Sequence, residues 1–412
     1  MHCGIDFYPK LIFIIKGRRK DLTKTAEKKK RNLKKPEKKT ELKQIDFTLV
    51  ITVLILLGLG IVMVLSASSP SAYSTTGSSY TYAIRQIQFA ILGIVAMIII
   101  SRIDYHKYHK VYKLAYVVGI ILLLLVMVPG LKYSAKGATR WINLGFTTVQ
   151  PSEIMKICLI VFYAGYLTLH KDDMKSFWKG FVKPLAFLVP VALIMILVQD
   201  HLSGTIIMVL VSAVMILLAG SKLRYFLTVG SALGVGGIAG LFILAKTTGQ
   251  GAFRIDRLVS FLDPWKYAQD EGWQVIQSLY AIGSGGLFGA GLGESKQKYL
   301  YISEPHNDFI FAVLAEELGF VGCAIVIALF AIFIWRGILI AMKAPDMFGS
   351  LLASGITVLV GLQAIINIAV VTSSIPVTGM PLPFFSYGGS ALVILLCSVG
   401  VLLNISRHST KL

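Results

Sequence analysis

Several charged residues stand where an apolar chain bears them only for a reason. Glu304-Pro305-His306-Asn307-Asp308 runs without a break into an apolar helix. Glu316 and Glu317 follow in that helix, about two to three turns deeper at ~1.5 Å per residue. Carboxylates at such depth are costly unless they face a wet cavity or a cationic partner. Two cations stand upstream, Arg140 and Lys156, in GATRWINLGFTTVQPSEIMK at 137–156. Asp308, beside an apolar wall and facing water, is where a general base for a lipid-anchored substrate would be placed, with Glu304 and His306 as second candidates. The simpler use of Asn307 and Asp308 is helix capping. Arg140 and Lys156 fit either neutralisation of a substrate diphosphate or pairing with Glu316 or Glu317. Their simpler use is contact with lipid phosphates, Lys156 snorkelling to the interface.

Two further stretches shape backbone around those charges. GSGGLFGAGLG at 283–293 has the glycine density for sharp turns, and its successive N–H groups could bind an anion or let helices pack closely. It has no Walker or dinucleotide spacing. PVTGMPLPFFSYGGS at 376–390 cannot continue a helix, yet lies between two apolar segments. Non-helical backbone at membrane depth survives only against protein or a watery cavity, so a loop folding back over the outer cavity is expected.

The elements that must hold these residues are transmembrane helices. The 412 residues are 55% hydrophobic and 15% charged, against roughly a quarter charged in soluble domains. Ten apolar segments approach spanning length: 46–67, 84–101, 114–130, 151–169, 184–199, 203–219, 225–246, 309–334, 348–371 and 390–405. The joint Gln199-Asp200-His201 between the fifth and sixth is an outer turn or a break inside the membrane, the turn being the preferred reading. Lys and Arg gather in alternate short loops, which puts both termini in the cytoplasm and the long 247–308 loop outside. Arg140, with Lys132 and Lys136, breaks that bias on the outer side and so suggests a job there. The expected fold class is an all-α integral membrane protein of about ten transmembrane helices.

The first 45 residues hold 15 Lys/Arg against 5 Asp/Glu, more than half of the net +19. A basic cytoplasmic tail at 1–45, solvated or near anionic membrane lipids, accounts for the charge without nucleic acid. The four cysteines, Cys3, Cys158, Cys323 and Cys397, show neither disulfide nor metal spacing.

Arg140-Trp141 with QPSE and Lys156, IQSLYAIGSGGLFGAGLG, EPHNDFIFAVLAEELG and PVTGMPLPFFSYGGS together resemble the SEDS family (shape, elongation, division and sporulation) of FtsW, RodA and SpoVE. The resemblance covers roughly 46–407, in order. The chain-end LLNISRH, the APD after the eighth span and the RQ of the first loop resemble the FtsW/SpoVE branch. Two departures stand out. Ile302-Ser303-Glu304 and Asn307-Asp308-Phe309 replace the usual Leu-Pro-Glu and Thr-Asp-Phe. Gln199-Asp200-His201-Leu202-Ser203-Gly204-Thr205 replaces Gln-Pro-Asp-Leu-Gly-Thr, leaving open whether Asp200 or His201 takes the usual acid's role.

The resemblance implies ten membrane helices in the bacterial cell membrane and an inverting glycosyltransferase that polymerises lipid II. It implies a class B penicillin-binding protein and other divisome proteins as partners, at the division septum. On that reading Asp308 is the catalytic base. Arg140, Lys156, Glu304, His306, Glu316, Glu317 and Ser386 bind substrate, and a divalent cation (Mg or Mn) is a possible cofactor for which no ligand spacing is visible. Alternatives are an elongation or sporulation paralogue, or a lipid II flippase, although no repeated halves of the kind common in transporters are evident.

Overall fold

The computed structural model describes residues 45–135, 138–143, 145, 147–231, 261–269, 272–299 and 301–409. The basic tail and most of the expected seventh span (225–246) lie outside them.

Seven described helices are long and apolar enough to cross a membrane. They are α1 (Phe47–Thr76), α2 (Thr81–Ile100), α5 (Pro151–Leu169), α6 (Lys183–Leu197, continuous with a π turn from Trp178), α9 (Ile310–Met342), α10 (Met347–Val371) and α11 (Gly389–His408). Two shorter apolar helices, α4 (Tyr112–Leu125) and α7 (Leu202–Leu218), match other expected segments. A short α3 (His106–Lys110) precedes α4, and α8 (Trp273–Gly285) lies in the long loop. The chain is a helical membrane protein, with one sheet among the described residues. Residues 132–149 form a three-stranded antiparallel sheet, β1 (Lys132–Ala135), β2 (Ala138–Asn143) and β3 (Thr148–Val149), with Tyr133 opposite Trp141 and Ile142 opposite Val149.

Local chemistry sets the helix ends. Asp46 caps α1 by accepting from the Leu49 N–H at 3.0 Å, and Gly77 closes it in the left-handed region. Pro151 occupies the first turn of α5, where its missing N–H costs nothing. Apolar residues such as Ile84, Ile91 and Val95 on α2 face outward, as they do where lipid is the solvent.

The bundle joins sequence-distant helices, α11 against α2 and α9 against α1, as well as consecutive ones, α4 against α5 and α9 against α8 and α10. Residues 376–388 run without regular structure through this bundle and are largely buried, Phe384 meeting Phe333 and Phe385 meeting Phe330. Gly60 permits this on α1, since a side chain there would overlap the Phe384 carbonyl.

Candidate functional site

Asp308 is partly buried at the entrance to α9. It does not cap the helix: the cap position is Phe309, without a side-chain cap, and Asn307 instead donates to Glu304 Oε2 at 2.5 Å. The capping reading is therefore corrected. The Ala312 N–H goes to the Phe309 carbonyl, so the Asp308 carbonyl must find a partner elsewhere. Asn367 of α10 supplies it at 2.7 Å. Gly379, with φ 66°, turns beside the carboxylate; a Cβ there would stand 3.2 Å from Asp308 Oδ2.

The irregular 376–388 loop is stitched to the Asp308 segment along its length. Ser386 Oγ donates to the Asn307 carbonyl at 2.7 Å and accepts from the Leu382 N–H at 2.7 Å. The Tyr387 N–H donates to the His306 carbonyl at 2.9 Å, and Gln86 of α2 donates to the Ser386 carbonyl at 3.3 Å. Ser386 thus fastens two segments together. His306 is buried, stacked on Tyr82 at 5.0 Å and edge-on to Tyr387 at 5.9 Å, with Glu304 Oε2 3.7 Å from its Nε2. The positive charge of Arg85 on α2 acts on the Tyr387 hydroxyl. Glu304 holds the turn with a left-handed φ of 56°.

The cations stand at the joint before α7, where residues 198–201 are not helical. Arg140, on β2, donates from Nε to the Gln199 carbonyl at 3.2 Å and from Nη2 to the Asp200 carbonyl at 2.5 Å. Gln199 in turn donates to the Leu123 carbonyl at 3.1 Å. Burial, and then the positive charges of Arg140 and Lys156, push the His201 imidazole down to about 3, so it is neutral at physiological pH. Ser203, two residues on, donates to the Thr378 carbonyl. The Arg140 joint and the Asp308 junction therefore share one loop, joined at Thr378 and Gly379.

Lys156 does not reach Glu316 or Glu317. It is buried and paired with Glu153, one turn earlier on α5, at 2.7 Å. Glu316 and Glu317, also buried, hold the end of the long loop before α9 instead. Glu316 accepts from Ser295 Oγ at 2.5 Å and from the Lys296 and Gln297 N–H groups at 2.9 and 3.3 Å. Glu317 takes Lys298 Nζ at 3.0 Å and Ser66 Oγ at 2.6 Å. Both Glu316 oxygens and Glu317 Oε1 are thus held by protein groups, while Glu317 Oε2 is buried without a hydrogen-bond partner among the described residues. Neither carboxylate pairs with Lys156, which corrects that expectation.

The glycine run is likewise a packing device and not an anion nest. The N–H groups of Ala290 and Gly291 go to the Glu316 and Glu317 carbonyls at 2.9 and 3.1 Å. Gly319 (φ 66°, ψ −165°) breaks α9 to receive the run, and a Cβ there would overlap the backbone of Gly289. Among the described residues no group of three or more His, Cys, Asp or Glu is placed to hold a metal ion.

Sequence reasoning missed Lys298, Asn367, Tyr82 and Arg85. A signal existed for Asn367, an amide inside an apolar helix. Lys298 gave none, because nothing in its spacing tells a buried loop lysine from a solvated one.

Comparison with known proteins follows the same segments. The model of the FtsW/RodA/SpoVE family, described as cell cycle protein, matches residues 47–411. Stage V sporulation protein E of Bacillus subtilis (strain 168) is 45% identical over 364 residues, 88% of this chain and 97% of that one. A probable peptidoglycan glycosyltransferase FtsW from Geobacter sp. (strain M18) is 42% identical over 363 residues, with the same coverage of each. Among solved structures, a chain from work on coordination of polymerization and crosslinking by a peptidoglycan synthase complex superposes with TM-score 0.71 at 27% identity, over 88% of this chain and 98% of that one. Rod shape determining protein RodA of Thermus thermophilus gives 0.64 at 26% identity, over 89% and 98%. With the motifs, the helical frame and relatives of this similarity in agreement, the chain belongs to the SEDS family of FtsW, RodA and SpoVE, and it is a multi-pass membrane glycosyltransferase.

Proposed function

We propose that the protein polymerises lipid II into glycan strands at the outer face of the bacterial cell membrane, by inverting transfer, with a class B penicillin-binding protein as partner. The observation that carries this is the shared loop. Thr378 is held by the joint that carries Arg140 and His201, and Gly379 turns against Asp308. A base and a cationic patch held by one rigid segment suit a transfer in which an acceptor loses a proton while a diphosphate leaves.

In that step the Asp308 carboxylate takes the proton of the acceptor sugar's 4-hydroxyl. The hydroxyl oxygen forms the new bond to the donor's anomeric carbon from the face opposite the leaving group. The anomeric carbon–oxygen bond to the lipid diphosphate breaks, and its electron pair leaves with the diphosphate. Arg140 and Lys156 oppose the charge that grows there, and buried neutral His201 adds none of its own. Glu304 and His306 shape the acceptor side, with Ser386 fixing the loop beside them. Glu316 and Glu317 act at a distance, by holding the outer loop.

With FtsW-named relatives and the FtsW-like chain end, we place the reaction at the division septum with other divisome proteins. The 45% identity to Stage V sporulation protein E favours a second reading, the same reaction during sporulation. Purified protein incubated with lipid II, with and without its partner, tests the activity. Glycan product lost in Asp308→Ala supports it; lipid crossing liposome membranes with no product would establish the flippase instead.

A further inference from the structure

The geometry points to Asn367 as a positioning residue that sets Asp308 against the 376–388 loop through one side-chain amide. Asn367 is 1% exposed, on the penultimate turn of α10. Its Nδ2 donates to the Asp308 carbonyl at 2.7 Å and to the Met380 carbonyl at 2.6 Å. Both hydrogens of the amide are used, and Oδ1 has no hydrogen-bond partner among the described residues. That fixes which way the amide faces, because the flipped orientation would set Oδ1 against two carbonyl oxygens.

The consequence is specific to the reacting group. Met380 directly follows Gly379, whose turn lies beside Asp308 Oδ2. One nitrogen therefore brings together three segments far apart in sequence, at 308, 367 and 380. The Asp308 carbonyl lies outside the hydrogen-bond ladder of α9, so Asn367 sets its direction where the helix does not. A proton transfer depends steeply on the placement of its base, and a misplacement of ~1 Å can cost about 100-fold.

This inference rests on the reading of Asp308 as the base, and its test separates the two. Lipid II polymerisation is followed as kcat and KM across pH for wild type, Asp308→Asn, Asn367→Leu and Asn367→Asp, with thermal midpoints in detergent. The titratable and charged groups around the junction are Glu304 and His306 on its own segment, Tyr387 on the loop, Tyr82 and Arg85 on α2, and Asp200 and His201 at the joint with Arg140 and Lys156; α10 carries none.

Asn367→Leu should lower kcat about 10–100-fold and leave KM within about twofold. Asn367→Asp puts a second carboxylate beside Asp308, and a like charge holds a proton on. Its acid limb should therefore rise by about one pH unit or more, while the limb of Asn367→Leu stays where wild type has it. The pH profile is internal to one variant, so partial misfolding scales it without moving it. An unmoved limb in Asn367→Asp, or wild-type kcat in Asn367→Leu while Asp308→Asn is dead, overturns the positioning role alone. Full activity in Asp308→Asn sinks the base assignment and the positioning role with it.

Discussion

Lys298 and Glu317 meet at 3.0 Å in a site closed to water, the ammonium 3% and the carboxylate 0% exposed. Ser66 of α1 joins both, accepting from Nζ at 3.1 Å and donating to Glu317 Oε1 at 2.6 Å. Nζ also donates to the Gly293 carbonyl at 2.6 Å. The pair thus ties α1, α9 and the end of the glycine run at one point. Ten residues after Lys298 the chain reaches Asp308, so the tie fixes the far end of the segment that carries the proposed base.

Removing one member of such a pair leaves the other charged in a dry place. Lys298→Met should cost about 3–5 kcal/mol of stability. Adding Glu317→Gln removes the stranded charge and should restore much of it. Glu316→Gln weakens only hydrogen bonds and should cost about 1–3 kcal/mol. Melting of all four proteins in detergent checks this, and a double variant no more stable than Lys298→Met would show that the two charges do not depend on each other.

Asp308→Asn is nearly isosteric, and the bond from Asn367 goes to the backbone carbonyl, which the substitution leaves in place. The thermal midpoint should hardly move. Product formation should fall about 10²–10⁴-fold, the usual worth of a general base. Polymerisation near the wild-type rate would send the search for the base to Glu304.

The span pattern and the motif segments were legible in the sequence because lipid demands continuous apolar runs and because Gly and Pro announce non-helical backbone. Which partner each charge takes was not. Lys156 found Glu153 on its own helix, a pairing at i,i+3 that sequence spacing offers but does not prefer over a distant acid. Glu316 and Glu317 took a lysine and backbone amides from a loop that folds back onto α9, and no local pattern encodes that return. Asp308 lost the capping role its residue type suggests because Asn367 and the 376–388 loop fix the chain there by tertiary contacts.

His201 yields a pH prediction. Its imidazole is pushed down to about 3 in the folded protein, against an ordinary value of about 6.5. Below the ordinary value the unfolded chain binds a proton that the folded one refuses, so stability from this group is full above about 6.5 and falls as pH drops toward about 3, by at most ~1.4 kcal/mol per unit. His201→Gln should flatten that part of the stability curve. Equal slopes in both proteins between pH ~6 and ~4 would mean that His201 accepts a proton when folded.

Topology can be tested at described positions. Tyr301 is 51% exposed in the loop we assign to the outside, and the Lys179 side chain is 68% exposed on the side we assign to the cytoplasm. Cys158, Cys323 and Cys397 are partly buried, so Cys3→Ser gives a usable background. A membrane-impermeant maleimide on intact cells should label Tyr301→Cys and spare Lys179→Cys. The opposite pattern would put Asp308 on the wrong side for an acceptor outside the membrane.

The basic tail should be dispensable for catalysis up to a sharp limit. Deleting residues 1–40 removes charge but none of the described contacts, so purified protein should keep its glycan synthesis while its abundance or position in cells changes. Six residues further on the expectation reverses. Asp46 caps α1, and its Oδ2 lies 2.7 Å from Nη2 of Arg336 and accepts from Nε at 2.9 Å. Its N–H donates to Ser406 Oγ near the end of α11 at 3.3 Å. Asp46 is 4% exposed, so Asp46→Ala loses a cap worth about 1 kcal/mol and removes the carboxylate paired with Arg336. Melting should therefore drop clearly for Asp46→Ala and little for the deletion of 1–40. A deletion as damaging as Asp46→Ala would mean that the tail itself holds the helices in place.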